Sequence, residues 1–150
     1  MFNAGVKDNV LPITASAVVN FRILPGETVS SVRDRITQVI DDDRIQINAI
    51  SVENEPSPVS DPNSSAFKMI EQTIHQVIPG DILVTPYLVF GGTDAKHYTG
   101  RSPNVFRFLP IQMGEDDLGR FHGTNERVSV DNLALSIRYF YQLIRNSDAI

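Results

Sequence analysis

Residues 53–65 read Glu-Asn-Glu-Pro-Ser-Pro-Val-Ser-Asp-Pro-Asn-Ser-Ser (ENEPSPVSDPNSS). Three prolines and four serines in so short a stretch remove backbone donors and offer side-chain bonds that compete with helix and sheet. That is the composition of a linker rather than of an element. The chain is therefore expected to divide into a first part, residues 1–55, and a second, residues 62–150, joined by residues 56–61.

The two parts carry unlike patterns. In the first, Thr14 to Leu24 alternates, with Ala15, Ala17, Val19, Phe21 and Ile23 on one side and Thr14, Ser16, Val18, Asn20 and Arg22 on the other. This predicts a strand with one buried face. Pro25-Gly26 turns the chain, Thr28 stands as an N-cap, and Val29, Val32, Ile36, Val39 and Ile40 recur at helical spacing up to Asp41–Asp43. Arg44 to Val52 is rich in β-formers, with a slip in alternation at Ala49-Ile50.

In the second part, Asp61-Pro62 is expected to cap a helix carrying Phe67, Ile70, Ile74, Val77 and Ile78, which Pro79-Gly80 stops. Ile82 to Phe90 reads as a buried strand in which Pro86 implies an edge or a local irregularity, and Asn104 to Leu109 as another. A short helical turn is expected after Gly91-Gly92-Thr93-Asp94. Pro110 to Arg127 shows no clear period. Ser129 caps a last helix whose stripe, Val130, Leu133, Ile137, Phe140 and Ile144, is expected to cover a sheet. The order β-β-α-β, linker, α-β-(short α)-β-α is α/β, an α+β part followed by a part whose alternating helices and strands favour a largely parallel sheet.

Composition narrows the function. With 150 residues, 41% of them hydrophobic, the chain can bury one modest core or two small ones. Asp+Glu 18 against Lys+Arg 13, a formal charge of -5 and no basic run argue against nucleic acid as a partner, because phosphate binding draws its affinity from clustered cations. The absence of cysteine excludes disulfides and thiolate metal sites and leaves the redox compartment open. The first twelve residues do not read as an export signal, and no run of about 18 apolar residues predicts a membrane span.

Few residues offer chemistry. Gly91 and Gly92 remove the Cβ atoms that would hold a ligand away from the backbone, and Thr93 or Asp94 can cap the turn that follows. The same tetrapeptide also reads as an ordinary strand-to-helix corner. Arg22, on the polar face of its strand, can grip a carboxylate through two parallel bonds, and Asn9, thirteen positions earlier, can donate to a carbonyl oxygen; each equally reads as a solvated surface residue. Of the histidines, His75 lies on an amphipathic helix and His97 in a turn without an obvious partner. His122 leaves the long irregular segment, precedes a glycine and stands four residues before Glu126, which could orient its ring. One histidine makes no zinc site, which needs about three or four protein ligands.

In this order, Asn9-Val-Leu-Pro12, Arg22, Gly91-Gly92-Thr93-Asp94 and His122-Gly-Thr-Asn-Glu-Arg-Val128 resemble the C-terminal part of the zinc-dependent exopeptidase and amidohydrolase family of carboxypeptidase S, aminoacylase and succinyl-diaminopimelate desuccinylase, the carboxypeptidase S branch fitting best. The resemblance covers almost the whole chain. It implies a ferredoxin-like lid, which also forms a homodimer contact, inserted in an α/β catalytic domain. Residues 1–55 would then be a partial lid and residues 62–150 the C-terminal part of the catalytic domain, so that the chain is a fragment.

The resemblance further implies a dizinc enzyme that hydrolyses the amide bond of small peptides or N-acyl amino acids bearing a free carboxylate. His122 would be the last metal ligand, Asn9 and Arg22 lid residues that hold substrate, and Gly91, Gly92 and Thr93 the loop beside it. The general base and the other ligands would lie upstream, leaving no catalytic residue in this chain and an inactive fragment that does not retain zinc. The family's lid histidine would precede Met1, and Glu53-Asn-Glu-Pro56 stands where some members carry a basic residue for acidic substrates. The alternative from the residues alone is a self-contained α/β binding or dimerisation module in which these turns are structural.

Overall fold

The fold comes from a computed structural model that describes residues 1–51 and 53–148. The chain forms two compact units, Met1–Ser57 and Pro58–Ile150. In the first, strand β1 (Phe2–Ala4) pairs antiparallel with β2 (Ala15–Ala17), placing Phe2 opposite Ala17, Asn3 opposite Ser16 and Ala4 opposite Ala15. The ladder closes at Met1, whose ammonium donates to the Val18 carbonyl at 2.9 Å and whose carbonyl accepts from Val18 N–H at 2.7 Å. The expected strand Thr14–Leu24 is thus realised only over its first third. Beyond Val18 the ladder does not continue among the described residues, and Val19, Phe21 and Leu24 stay exposed.

Helix α1 (Val29–Ile40) starts where its sequence signals say. Thr28 Oγ1 accepts from Ser31 N–H and Ser31 Oγ from Thr28 N–H, both at 3.0 Å, a reciprocal cap that satisfies two donors at once. Asp41 ends the helix in a left-handed conformation, φ 45°, its N–H reaching Thr37 O at 3.0 Å. Arg44 then forks onto Asp42, Nε to Oδ1 at 2.9 Å and Nη2 to Oδ2 at 2.6 Å, which holds the Asp42 carboxyl below its ordinary range. Residues 44–51 form no strand among the described residues, and Val52, the end of that expected strand, lies outside them.

The proline-rich stretch is less idle than its composition suggests. Glu55 Oε2 accepts from Val29 N–H at 3.1 Å, placing a negative charge at the N-terminus of α1, and Arg33 pairs with Glu53 at 2.6 Å. At its other end Ser60 Oγ accepts from Val105 N–H at 2.8 Å and donates to Val105 O at 3.1 Å, while Asp61 N–H reaches Asn104 Oδ1 at 2.7 Å. Each end is bonded into its own unit.

The second unit is built on α2 (Ser65–Val77) and α3 (Val130–Ser147). Ser129 caps α3 as expected, but α2 is capped by Ser64 rather than Asp61. Asp61 is spent in the preceding turn, where its carboxylate accepts from Asn63 N–H at 2.8 Å and its carbonyl from the Ser64 hydroxyl at 2.7 Å. The helices bury Thr73 and Ile74 of α2 against Leu135 and Tyr139 of α3, Tyr139 being 1% exposed. Phe108 meets Tyr139 at 5.1 Å between ring centroids, and Phe67 meets Phe106 at 5.5 Å. Burial pushes the Tyr139 phenol up to about 12. A polar clamp completes the contact: Asn146 Nδ2 donates to Thr73 Oγ1 at 2.8 Å and Gln76 Oε1 at 2.9 Å, while Gln142 Nε2 donates to Asn146 Oδ1 at 2.9 Å.

Two expectations are corrected here. The face of α3 that packs carries Leu135, Tyr139, Gln142 and Asn146, whereas the stripe expected to cover a sheet stays exposed: Val130 82%, Leu133 57%, Ile137 64%, Phe140 42% and Ile144 61%. The reason lies in the second correction. Residues 82–90 and 104–109 form no strands among the described residues, so the largely parallel sheet of the second part is not assembled and offers nothing to cover. A strand is a relation between two segments, and apolar alternation cannot create the neighbour. The accessible surface, 12714 Å², measures the shortfall, since one folded body of this mass exposes about 7,600 Å² and two separate ones about 9,000 Å².

Candidate functional site

Asn9 and Arg22 belong to the first unit, and Gly91, Gly92, Thr93 and His122 to the second. Asn9 stands exposed in the turn between β1 and β2, which Val10 N–H closes onto Lys7 O at 3.2 Å and which Gly5 enters with φ 78°. Arg22 is exposed in the unpaired run after β2. Its guanidinium therefore has access to a dissolved anion.

The Gly91–Thr93 loop leads into a short 3-10 helix, Asp94–His97, as expected. Thr93 caps it, with Oγ1 accepting from Ala95 N–H at 3.3 Å. Arg107 Nη1 donates to the Gly91 carbonyl at 2.8 Å, a contact across 16 residues that no local pattern announces. Gly91 has an ordinary φ, and a Cβ built there would meet only Val89 Cγ1 at 4.0 Å. The chain's own packing does not require glycine at this position.

His122 follows a second 3-10 helix, Glu115–Arg120, which lies inside the segment read as irregular. The missed signal is Glu115-Asp116-Asp117, three acids in a first turn after a glycine. Asp117 organises it, accepting from Gly114 N–H at 2.9 Å and pairing with Arg120 Nη1 at 2.7 Å. The Arg120 carbonyl accepts from Gly123 N–H at 3.0 Å, and a Cβ on Gly123 would press at 3.4 Å on the carbonyls of Gly119 and Arg120. His122 inside this closed turn takes φ 56°, and Asn125, beyond it, φ 64°, a left-handed backbone uncommon outside glycine. The ring is exposed, and the structure does not bring Glu126 onto it as an orienting partner. His75 is exposed on α2, and His97 closes the first 3-10 helix.

Among the described residues no group of three or more His, Cys, Asp or Glu is arranged to hold a metal ion. The donors described here do not fit a metal centre by themselves. Nor, among the described residues, is any helix long and apolar enough to cross a membrane.

Comparison with known proteins is decisive about kinship. The chain is 40% identical over 148 residues to "Probable carboxypeptidase S-like 2" of Dictyostelium discoideum, covering 99% of this chain and 28% of that relative. It is 39% identical to "N-fatty-acyl-amino acid synthase/hydrolase PM20D1" of Xenopus tropicalis and 36% to the human protein of that name, covering 99% of this chain and 29% and 30% of those relatives. The chain thus spans 28 to 30% of the length of these curated relatives. No solved structure matches it. Residues 5–146 match the model of peptidase family M20/M25/M40, a family that is generally metal-dependent, and the chain belongs to that family.

Proposed function

We propose that the chain is the C-terminal part of a dizinc amidohydrolase that cleaves the amide bond of peptides or N-acyl amino acids with a free carboxylate. The observation that carries the proposal is the match, over nearly the whole chain, to relatives named as carboxypeptidases and N-fatty-acyl-amino acid hydrolases. The exposed α3 stripe and the excess surface support a larger polypeptide in which they are covered. The break between the two units at residues 57 and 58 supports a lid part over residues 1–55 and a catalytic part over residues 62–150. In this reading the lid is ferredoxin-like and also joins two copies of the enzyme.

The roles divide by chemistry. Arg22, exposed and with a planar fork of donors, grips the substrate carboxylate. Asn9 donates to the carbonyl oxygen that gains charge during attack. Gly91, Gly92 and Thr93 lie beside the substrate with little side-chain bulk. His122 supplies one metal ligand, while its co-ligands and the general base belong to the rest of the polypeptide. The bound metal would supply the activated water.

The upstream reading frame, expressed together with residues 1–150, tests this. It is expected to contain His-x-Asp and Glu-Glu and to hydrolyse N-acyl amino acids. Arg22→Ala should cost about 2 to 4 kcal/mol in kcat/KM at unchanged metal content. Arg22→Lys should restore only part, because an ammonium lacks the fork. His122→Ala should lower metal content and turnover for every substrate. Metal lost in Arg22→Ala, or two ions and near-normal rates in His122→Ala, would refute the assignment.

A further inference from the structure

The contact between Arg107 and Gly91 has no counterpart among the roles above. A trans peptide is rigid and planar, with its carbonyl and N–H pointing in opposite directions. Arg107 Nη1 holds the Gly91 carbonyl at 2.8 Å, so the N–H of the same peptide, that of Gly92, is directed away from the guanidinium. The residues on both sides of this peptide are glycines, for which left- and right-handed backbone are about equally accessible. A rotation about Gly91 ψ and Gly92 φ would reverse the peptide, and neither residue carries a Cβ to oppose it. Something other than sterics has to choose the orientation. A charged donor on the carbonyl does so, and it also polarises the peptide, which makes the N–H a better donor. Gly92 is an exposed residue, within reach of a dissolved ligand.

We propose that Arg107 is a positioning residue: it locks the Gly91–Gly92 peptide in the one orientation that presents Gly92 N–H as a hydrogen-bond donor to a ligand carboxylate. This rests on the reading of the Gly91–Thr93 loop as substrate-facing. Arg107 itself lies on the other side of the peptide from the ligand.

The test is NMR on the isotope-labelled 150-residue chain, with N-acetylglycine as the probe and the Ile74 and Leu135 methyl signals as the check that the helix pair is intact. Arg107→Met should move the Gly91 carbonyl 13C signal upfield and broaden or double the Gly92 amide. It should also raise the N-acetylglycine concentration needed to shift that amide by about fivefold, the size of one exposed charge-assisted bond. Arg107→Lys should restore binding to the extent that it restores the Gly91 carbonyl signal. A Met variant with unchanged carbonyl, amide and titration overturns the proposal. So does a Lys variant that binds like the parent while the carbonyl signal stays displaced, since charge alone would then account for the effect. A Gly92 amide in the unaltered chain that ignores N-acetylglycine, while the carbonyl still moves in the Met variant, would refute the substrate-facing reading instead and with it the donor role.

Discussion

Asn146 holds α3 to α2 at the rim of the small core, and its substitution separates lost hydrogen bonds from an imposed charge. Asn146→Ala removes the donors to Thr73 Oγ1 and Gln76 Oε1, at 2.8 and 2.9 Å. The Thr73 residue is 0% exposed and its hydroxyl proton is committed to Met69 O at 2.7 Å, so its oxygen is left without a donor. At about 1 kcal/mol for the partly buried bond and about half that for the exposed one, the loss is about 1.5 kcal/mol. Asn146→Asp is expected to cost about 3 kcal/mol at pH 7, because a carboxylate brings acceptors against two acceptors and a charge beside a buried group. That extra cost has a sign with pH: the introduced carboxyl has its folded pKa raised, so the penalty is present above that pKa and falls away as pH drops toward 4, where a protonated acid can again donate to Thr73. Urea unfolding followed by helix circular dichroism at pH 7 and pH 4.5, normalised to the parent chain at each pH, measures both. Equal stability of the two variants at pH 7, or a Asn146→Asp deficit that does not shrink on acidification, would refute the clamp.

Three further outcomes are expected. Tyr139, with its phenol raised from 10 to about 12 by burial, contributes stability that is complete below pH 10 and lost as pH rises from 10 toward 12, on the order of 1 to 3 kcal/mol; an alkaline unfolding curve unchanged by Tyr139→Phe over that window would contradict it. Thr28→Ala breaks the reciprocal cap of α1 and should cost the first unit about 1 kcal/mol, with Thr28→Ser nearly neutral, as read by amide exchange along α1. The isolated chain should hydrolyse no N-acyl amino acid and bind zinc no better than an exposed histidine does; calorimetry showing tight stoichiometric uptake, abolished by His122→Ala, would reveal ligands not recognised here.

What was legible in the sequence is what is decided locally. Thr28 and Ser129 were identifiable as caps because a cap is a contact between residues three apart, and the three α-helices were visible in their apolar spacing. The face that each helix buries was not. α3 carries apolar residues on two sides, and only the presence of α2 selects Leu135 and Tyr139 over the Val130–Ile144 stripe. The segments 82–90 and 104–109 have strand composition but, among the described residues, no strand to pair with, which periodicity cannot report. Among the residues proposed for the site, His122 and Gly91–Thr93 were singled out by residue type and order, whereas Arg107 depends on a contact made across 16 residues and Asp117 on a 3-10 helix too short to leave a period.

The doubly fastened proline-rich stretch sets where the polypeptide can be cut. With Glu53 and Glu55 bonded to α1, and Ser60 and Asp61 bonded to residues 104–105, the bonds that define each unit lie outside residues 56–59. A protease site or a spliced junction placed within those four positions would release two pieces that each keep their own fastenings. A junction placed a few residues to either side would strip α1 of its terminal carboxylate or detach the Asn104 segment from the start of α2. The stretch that divides the sequence is also the seam along which the molecule can be dismantled and rejoined.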